Sequence, residues 1–161
     1  MSEPKSINVE QLLDAMATQL GPLVAGDDGA RQPVMVGIRT GGVWIAQALH
    51  ARLALDEPLG SLNINFYRDD FTRIGMHPQV TPSDLPFALD GRHVILVDDV
   101  LYTGRTIRAA LNELFDFGRP SRVTLAVLVE RDGRELPIQA DVVGKHIVVE
   151  DGQYLKLAGP T

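Results

Sequence analysis

The sequence has 161 residues, with 45% hydrophobic and 22% charged side chains and a formal net charge of −6. This length and balance predict one globular domain, residues 1–161, whose core needs neither disulfides nor metal. The absence of cysteine excludes disulfide scaffolds, thiolate metal sites and cysteine nucleophiles, and the acidic charge disfavours a protein built on phosphate-backbone contacts.

The sequence carries no sign of export or membrane insertion. Its N-terminus has no apolar segment of the signal-peptide kind, and no stretch elsewhere approaches 18 uninterrupted apolar residues. We therefore expect a cytoplasmic protein without a membrane partner. The four histidines show no metal-ligand spacing, so we predict no side chain that binds a metal directly.

The first predicted element is a helix. Apolar residues recur at helical spacing over residues 9–20, and Asn8 and Gln11 are spaced as in a capping box. We expect the Gly21-Pro22 pair to end this helix, because proline lacks the backbone N–H that a helix interior requires.

The segments that follow predict a strand, a helix, a second strand and a long loop. Residues 33–38 form an apolar run typical of a buried strand, and residues 43–55, rich in Ala and Leu, predict a helix. Residues 61–67 alternate apolar and polar side chains, as a half-buried strand does. Over residues 69–90 no period holds and prolines interrupt any helix, which predicts a mobile lid.

The rest of the chain continues the alternation of strands and helices. A helix is predicted over residues 107–117, and strands over residues 93–97, 123–129, 142–143, 147–149 and 154–157. Trp44, Phe66 and Phe115 lie on periodic apolar faces and are predicted to be core residues. The alternation predicts an α/β fold, a mainly parallel twisted sheet flanked by helices, with ligands at the carboxyl ends of the strands near the switch in strand order.

The strongest chemical signal is the pair Asp98-Asp99 followed by the turn TGRT, residues 103–106. A helix N-terminus favours phosphate, the two threonines add hydroxyl donors, and the glycine lets the backbone approach closely. The two carboxylates, which we expect to be largely exposed, can accept hydrogen bonds from vicinal sugar hydroxyls, so the segment indicates a ribose 5-phosphate. The alternatives are carboxylates that cap the helix before a plain turn, and a receiver-like domain in which one aspartate accepts a phosphoryl group.

Four blocks of the sequence resemble one protein family. VILVDDVLYTGRT, residues 94–106, is similar to the signature by which type I phosphoribosyltransferases bind 5-phosphoribosyl 1-diphosphate (PRPP). VGIRTGG (36–42), YRDD (67–70) and residues 118–145 surround it as in that family, and more narrowly as in the bifunctional pyrimidine regulators of the PyrR type. The resemblance implies the type I phosphoribosyltransferase fold with a small hood, to which residues 131–161 contribute along with the last strands.

The resemblance also implies where the ligands bind. PRPP is expected along the signature, at Asp98, Asp99, Val100, Leu101, Tyr102, Thr103, Gly104, Arg105 and Thr106. The pyrophosphate loop corresponds to Arg39, Thr40, Gly41 and Gly42, the catalytic loop to Arg68, Asp69 and Arg73, and the hood around the base to Arg131 and Val148. The alternatives are a plain strand-to-helix turn for the first loop and an ion pair with Asp69 or Asp70 for Arg68.

This chain departs from the family pattern in the pyrophosphate loop and in the hood. PyrR proteins usually show Thr-Arg-Gly where this chain has Thr40-Gly41-Gly42, so one guanidinium expected on the pyrophosphate is missing. Between Lys145 and Val148 the chain is several residues shorter than the pattern, in the region that surrounds the base. Purine-specific relatives place an acidic residue where this chain has Tyr102, which favours a pyrimidine.

The resemblance implies a uracil phosphoribosyltransferase that converts uracil and PRPP to UMP and diphosphate, with Mg²⁺ bound to PRPP. It also implies a role in regulating pyrimidine biosynthesis genes, with UMP or UTP as a ligand, and a homo-oligomer, a dimer or higher. The alternative is a catalytically weak, nucleotide-sensing attenuator that binds leader RNA. RNA is disfavoured because residues 6–30 contain four acidic groups and no Lys or Arg.

Overall fold

The computed structural model describes residues 8–25, 32–64 and 83–148. Within these residues the chain forms three helices and five strands. In chain order they are α1 (Val9–Ala25), β1 (Val34–Ile38), α2 (Gly41–Leu53), β2 (Gly60–Leu62), β3 (His93–Leu101), α3 (Arg105–Asp116), β4 (Arg122–Arg131) and β5 (Val142–Ile147). None of the helices in these three ranges is both long enough and apolar enough to span a bilayer.

The five strands form one sheet in the order β2-β1-β3-β4-β5, and each strand is parallel to its neighbour. This confirms the predicted α/β fold with a mainly parallel sheet. The strand order reverses between β1 and β3, so their carboxyl ends border the crevice where open α/β sheets bind ligands.

Two hydrophobic clusters cover the two faces of the sheet. Along β1 the side chains of Val34 and Val36 contact the cluster that contains α3, whereas Met35 contacts the cluster that contains α1 and α2. Successive strand residues point to opposite faces, so a strand covered on both sides is apolar throughout. All five residues of β1 are buried because both faces of the strand are covered.

Helix α1 begins as predicted but ends later. The Asn8 side-chain oxygen accepts a hydrogen bond from the Gln11 N–H at 3.1 Å, which is the expected N-terminal cap. The prediction that Gly21-Pro22 ends the helix is wrong, because α1 continues to Ala25. Leu20 and Val24, one turn apart, are both buried in the core, and this packing outweighs the missing proline N–H.

The prediction of two short strands at residues 142–143 and 147–149 is wrong, because β5 is one continuous strand. Gly144 lies inside it. A Cβ built on Gly144 would lie 2.5 Å from the Leu128 carbonyl oxygen and 3.2 Å from the Leu12 Cβ. Gly144 therefore permits close packing inside a continuous strand. The predicted strand at residues 154–157 lies outside the described residues.

Strand β2 is covered at its free edge by the end of the predicted lid. Ser61 and Asp84 exchange two backbone hydrogen bonds of 2.8 Å, and the Asn63 N–H donates to the Ser83 hydroxyl at 2.8 Å. Ser61 and Asn63 are consequently buried, so the prediction of a half-buried strand with an exposed polar face is wrong. Residues 69–82 of the predicted lid lie outside the described part of the chain.

The core prediction for Phe115 is also wrong, because its side chain is 52% exposed. The buried residues of α3 are Ile107, Ala110 and Leu114, and Phe115 follows Leu114 by about 100° around the helix. Trp44 is half-buried, and Phe66 lies outside the described residues.

Candidate functional site

The predicted pyrophosphate loop and the signature segment meet at the carboxyl ends of β1 and β3. These strands pair in parallel, with Gly37 opposite Val97, so the residues that follow emerge side by side. A Cβ built on Gly42 would lie 2.5 Å from the Val97 carbonyl oxygen, and one built on Gly41 would overlap the Asp99 carboxylate. At Gly42 the obstacle is backbone, so only glycine permits the approach, whereas at Gly41 a side chain would require the Asp99 carboxylate to move. The Arg39-Thr40 peptide bond at the start of this loop is cis.

The two aspartates of the signature have different environments. Strand β3 runs through both of them, beyond the predicted end at residue 97. Asp98 is 5% exposed, so the expectation of two largely exposed carboxylates is wrong for this residue; Asp99 is half-buried. Burial, with a further contribution from the negative charge of Asp99, raises the pKa of Asp98 well above that of an ordinary aspartate. Asp99 is therefore the more accessible carboxylate of the pair.

Hydrogen bonds hold these carboxyl groups against the backbone. The Asp99 N–H donates to Oδ1 of Asp98, and the Val100 N–H donates to Oδ1 of Asp99, both at 2.8 Å. Neither aspartate caps α3, whose N-cap is Gly104 without a side-chain cap bond. The alternative of helix-capping carboxylates is therefore wrong.

The turn that follows β3 leads directly into α3. Gly104 has φ +96°, a left-handed conformation that glycine adopts without a steric penalty. The Arg105 N–H donates to the Thr103 hydroxyl at 3.1 Å, and the Arg108 N–H donates to the Gly104 carbonyl at 3.0 Å. The N–H groups of Thr106 and Ile107, which follow Arg105 and precede Arg108, have no hydrogen-bond partner in the described part of the chain. Two adjacent free N–H groups at a helix N-terminus suit an anion.

Residues of the β4–β5 connection also contact this turn, and the sequence analysis assigned them no role there. The N–H groups of Glu135 and Leu136 donate to the Thr103 carbonyl at 2.9 and 3.1 Å, and Arg134 donates to the Tyr102 carbonyl. The available signal was the sequence RELP inside the resembling block 118–145, although no spacing rule links it to the turn.

The structure brings the hood residue Arg131 to the turn. Its guanidinium carbon lies 4.0 Å from the centre of the Tyr102 ring, a cation–π contact. Its Nε is buried without a hydrogen-bond partner among the described residues. Val148 follows β5 directly and is 69% exposed. A buried, unpaired donor beside the signature suits a ligand oxygen.

The side chain of Arg39 is not gathered with the carboxylates. Together with Gln47 and His50 it lines a cavity of about 340 Å³ between α2 and β2. The glycines of the pyrophosphate loop therefore face Asp98 and Asp99, whereas its cation faces this cavity. The predicted catalytic-loop residues Arg68, Asp69 and Arg73 lie outside the described residues. In the described ranges, no group of three or more His, Asp or Glu side chains is placed to hold a metal ion.

Comparison with known proteins gives a consistent result. The family model described as "Phosphoribosyl transferase domain" matches residues 8–154. The chain is 59% identical over 160 residues to the "Bifunctional protein PyrR" of Nitrosococcus oceani, across 98% of this chain and 90% of that protein. It is 56% identical over 153 residues to the protein of the same name from Pseudomonas paraeruginosa, across 95% and 89%.

Solved structures share the fold at low sequence identity. A hypoxanthine-guanine phosphoribosyltransferase from Bacillus anthracis matches with a TM-score of 0.69 and 19% identity, over 91% of this chain and 85% of that one. A purine phosphoribosyltransferase from Pyrococcus horikoshii matches with a TM-score of 0.62 and 22% identity, over 95% and 93%. These likenesses confirm the predicted fold.

Proposed function

This chain belongs to the phosphoribosyltransferase family, and from this membership we propose that it transfers the phosphoribosyl group of PRPP to uracil, producing UMP and diphosphate. The observation that carries the proposal is the pair of free N–H groups on Thr106 and Ile107, next to the half-buried carboxylate of Asp99. A phosphate site beside an acceptor for sugar hydroxyls has the arrangement that a ribose 5-phosphate requires.

Different residues bind the 5′-phosphate, the ribose and the diphosphate of PRPP. The 5′-phosphate accepts hydrogen bonds from the start of α3, and the ribose hydroxyls donate to Asp99. Asp98, buried and held by the Asp99 N–H, supports the backbone beneath the ribose. The backbone of Gly41 and Gly42 faces the space for the diphosphate, since neither residue has a side chain to fill it. Positioning of this kind accounts for much of the catalysis when two bound reactants meet.

Bond exchange at the ribose C1 breaks the bond to diphosphate and forms a bond to a base nitrogen, while positive charge builds on the ribose ring. The carboxylate of Asp99 stabilises this charge electrostatically. Mg²⁺ bound with PRPP would supply positive charge to the diphosphate, and Asp99 is the described carboxylate beside the loop that would lie nearest to it. The described residues fit this arrangement, because the half-buried carboxylate of Asp99 lies against Gly41 at the start of the loop's helix.

The base is expected beside Arg131 and Tyr102. The buried, unpaired Nε of Arg131 is a donor for a carbonyl oxygen, and uracil carries two such oxygens. Tyr102 stands where purine-specific relatives carry an acid, so a purine nitrogen would find no carboxyl group there. Val148 is exposed at the end of β5 and belongs to the same hood.

Regulation of pyrimidine biosynthesis genes is the second part of the proposed function, because the most similar relatives named above are called bifunctional. UMP and UTP are the proposed effectors of a homo-oligomer that acts in the cytoplasm. An attenuator that binds RNA through α1 is not favoured. The side chains of Glu10 and Asp14 on this helix are 78% and 72% exposed, and such charges repel a phosphate backbone.

The test is a panel of nucleobases, each assayed with PRPP and Mg²⁺ for nucleotide and diphosphate. We expect uracil to give UMP, and hypoxanthine, guanine and adenine to give no nucleotide. Release of IMP or GMP at a higher rate than UMP would overturn the choice of base. PRPP binding without nucleotide from any base would instead indicate a regulator that binds PRPP without catalysis.

A further inference from the structure

The connection between β4 and β5 contacts the phosphate-binding turn along its whole length. Gly133 packs so closely on the Tyr102 ring that a Cβ on it would overlap the ring. At the other end of the turn, the side chain of Arg105 donates to Glu135 at 2.8 Å. The contacts join segments that are about 30 residues apart in the sequence.

The contacts in this region fix the backbone from which α3 begins. The Thr106 and Ile107 N–H groups lie in the first turn after the N-cap Gly104, where N–H groups have no carbonyl partner within the helix. Just before this turn, the Tyr102 carbonyl accepts from Arg134, and the Thr103 carbonyl accepts from the N–H groups of Glu135 and Leu136. These bonds hold in place the backbone that precedes the two free N–H groups.

Among the described groups that donate to these two carbonyls, Arg134 is the one that donates from its side chain. A residue of the sheet holds this side chain in place. Its Nη2 donates to Oε1 of Glu130 at 2.7 Å, and Glu130 belongs to β4, opposite Leu101 of β3. The two side chains are 26% and 19% exposed, so solvent screens this ion pair less than a fully exposed one. The guanidinium thus connects the sheet to the turn with fixed geometry.

We propose that Arg134 is a positioning residue for phosphate binding: by bonding to the Tyr102 carbonyl, it fixes the turn before α3, so that the free Thr106 and Ile107 N–H groups are aimed at the 5′-phosphate of the ligand. This inference rests on the proposed function, because it assigns the phosphate to the same turn. Arg134 itself does not touch the phosphate in this account. It sets the direction of the backbone groups that do, before the ligand arrives.

The test compares ligand fragments. Ribose 5-phosphate probes the turn, and inorganic diphosphate probes the loop that contains Gly41. We expect Arg134→Met to weaken the binding of ribose 5-phosphate about 10- to 100-fold, the change that corresponds to losing a hydrogen bond to a charged group. Diphosphate affinity should change less than about twofold. Arg134→Lys, which can reach one of the two partners, should fall between Arg134→Met and the unaltered protein.

Arg52→Met is the matched control, because the Arg52 side chain is also 26% exposed and also forms ion pairs, with Glu10 and Asp14 on α1. It should leave both affinities unchanged. Hydrogen exchange gives a second readout in the free protein: the Glu135 and Leu136 amides, which donate to the Thr103 carbonyl, should exchange faster in Arg134→Met than in Arg52→Met, because the turn is held less firmly.

The outcomes separate the two proposals. Equal affinity for ribose 5-phosphate in Arg134→Met and the unaltered protein, or an equal loss for both fragments, would overturn the positioning role alone. If the unaltered protein binds ribose 5-phosphate but Thr106 and Ile107 amide signals do not respond, the phosphate lies elsewhere and the proposed function fails with it.

Discussion

The carboxylate of Asp99 occupies the space in which a side chain on residue 41 would begin. A Cβ built on Gly41 would overlap Oδ2 and Cγ of Asp99, and its distance to the Asp99 Cβ would be 3.2 Å. The end of β3 and the predicted pyrophosphate loop therefore pack closely against each other at Asp99 and Gly41. The arginine of the usual Thr-Arg-Gly pattern would therefore require a different orientation of the Asp99 carboxylate from the one in this chain.

Gly41→Ala is expected to destabilise the protein by about 1–3 kcal/mol, the usual cost of forcing extra atoms into a packed site. It should also weaken PRPP binding, because either Asp99 or the loop must move. Urea unfolding and calorimetric titration with PRPP measure the two effects. Gly41→Arg carries the same Cβ, and we expect it to weaken PRPP binding although it restores the usual family residue.

The control for this substitution is Gly21→Ala in α1, where a Cβ would meet no atom within 4 Å other than those of its chain neighbours. It should change stability by no more than about 0.5 kcal/mol, because the usual gain from alanine in a helix is opposed by crowding with Pro22. In an Asp99→Ala background, Gly41→Ala should lose most of its destabilising effect. Full additivity of the two substitutions would contradict a direct conflict between these residues.

Thr106→Val should weaken PRPP binding by about 1–3 kcal/mol, because the hydroxyl of Thr106 is expected to bond to a charged phosphate. The shape of the side chain is nearly unchanged, so the fold should keep its stability. Thr18→Val on α1 is a matched control: the Thr18 hydroxyl donates to the Asp14 carbonyl at 3.0 Å on an exposed helix face. An unaltered PRPP affinity in Thr106→Val would refute the role assigned to this threonine.

Asp98 should make the stability of the free protein depend on pH. Since burial raises the pKa of Asp98, the folded state keeps a proton that the unfolded state has lost above about pH 3.9. The stability associated with this proton is present at low pH and is lost as pH rises through the folded pKa. Asp98→Asn mimics the protonated group, so its advantage in the free energy of unfolding should grow from pH 4 to pH 8.

Urea unfolding of both proteins across this range measures that difference. Burial and the charge of Arg122 lower the pKa of His93, which opposes folding as pH falls below about 6.5. Both proteins contain His93, so its effect cancels in the comparison. A difference that is constant with pH, or that grows toward pH 4, would contradict the raised pKa of Asp98.

The exposed position of Phe115 leads to a test of the fold. Phe115→Ser removes a ring that is 52% exposed and should change stability by less than about 1 kcal/mol. Leu114→Ala, at the neighbouring buried position, should cost about 2–5 kcal/mol. Thermal unfolding of the two variants gives the comparison, and a similar loss in both would place Phe115 in the core after all.

Local patterns in the sequence were sufficient for most of the sheet and for the turn that precedes α3. The apolar runs at β1 and β3, and the glycine that opens α3, are signals that each segment carries by itself. The end of α1 could not be predicted in this way, because the burial of Val24 depends on strands far along the chain. The same holds for Phe115, whose exposure depends on which neighbours cover α3.

The chemistry of the site depended on contacts that no spacing rule contains. The burial of Asp98 accompanies the close approach of Gly42, and the turn before Thr106 is bonded to Arg134, 28 positions after Thr106 in the sequence. The residue types in the signature predicted a ligand with a phosphate and a sugar. Only the folded chain shows that Asp98 is buried and that Asp99 is the more accessible carboxylate.

A crystal structure with bound PRPP and Mg²⁺ tests the central claim most directly. The account predicts the 5′-phosphate within hydrogen-bond distance of the Thr106 and Ile107 N–H groups, with the ribose hydroxyls on Asp99. Binding of PRPP in the cavity beside Arg39, or anywhere that leaves the turn after β3 without phosphate, would contradict it.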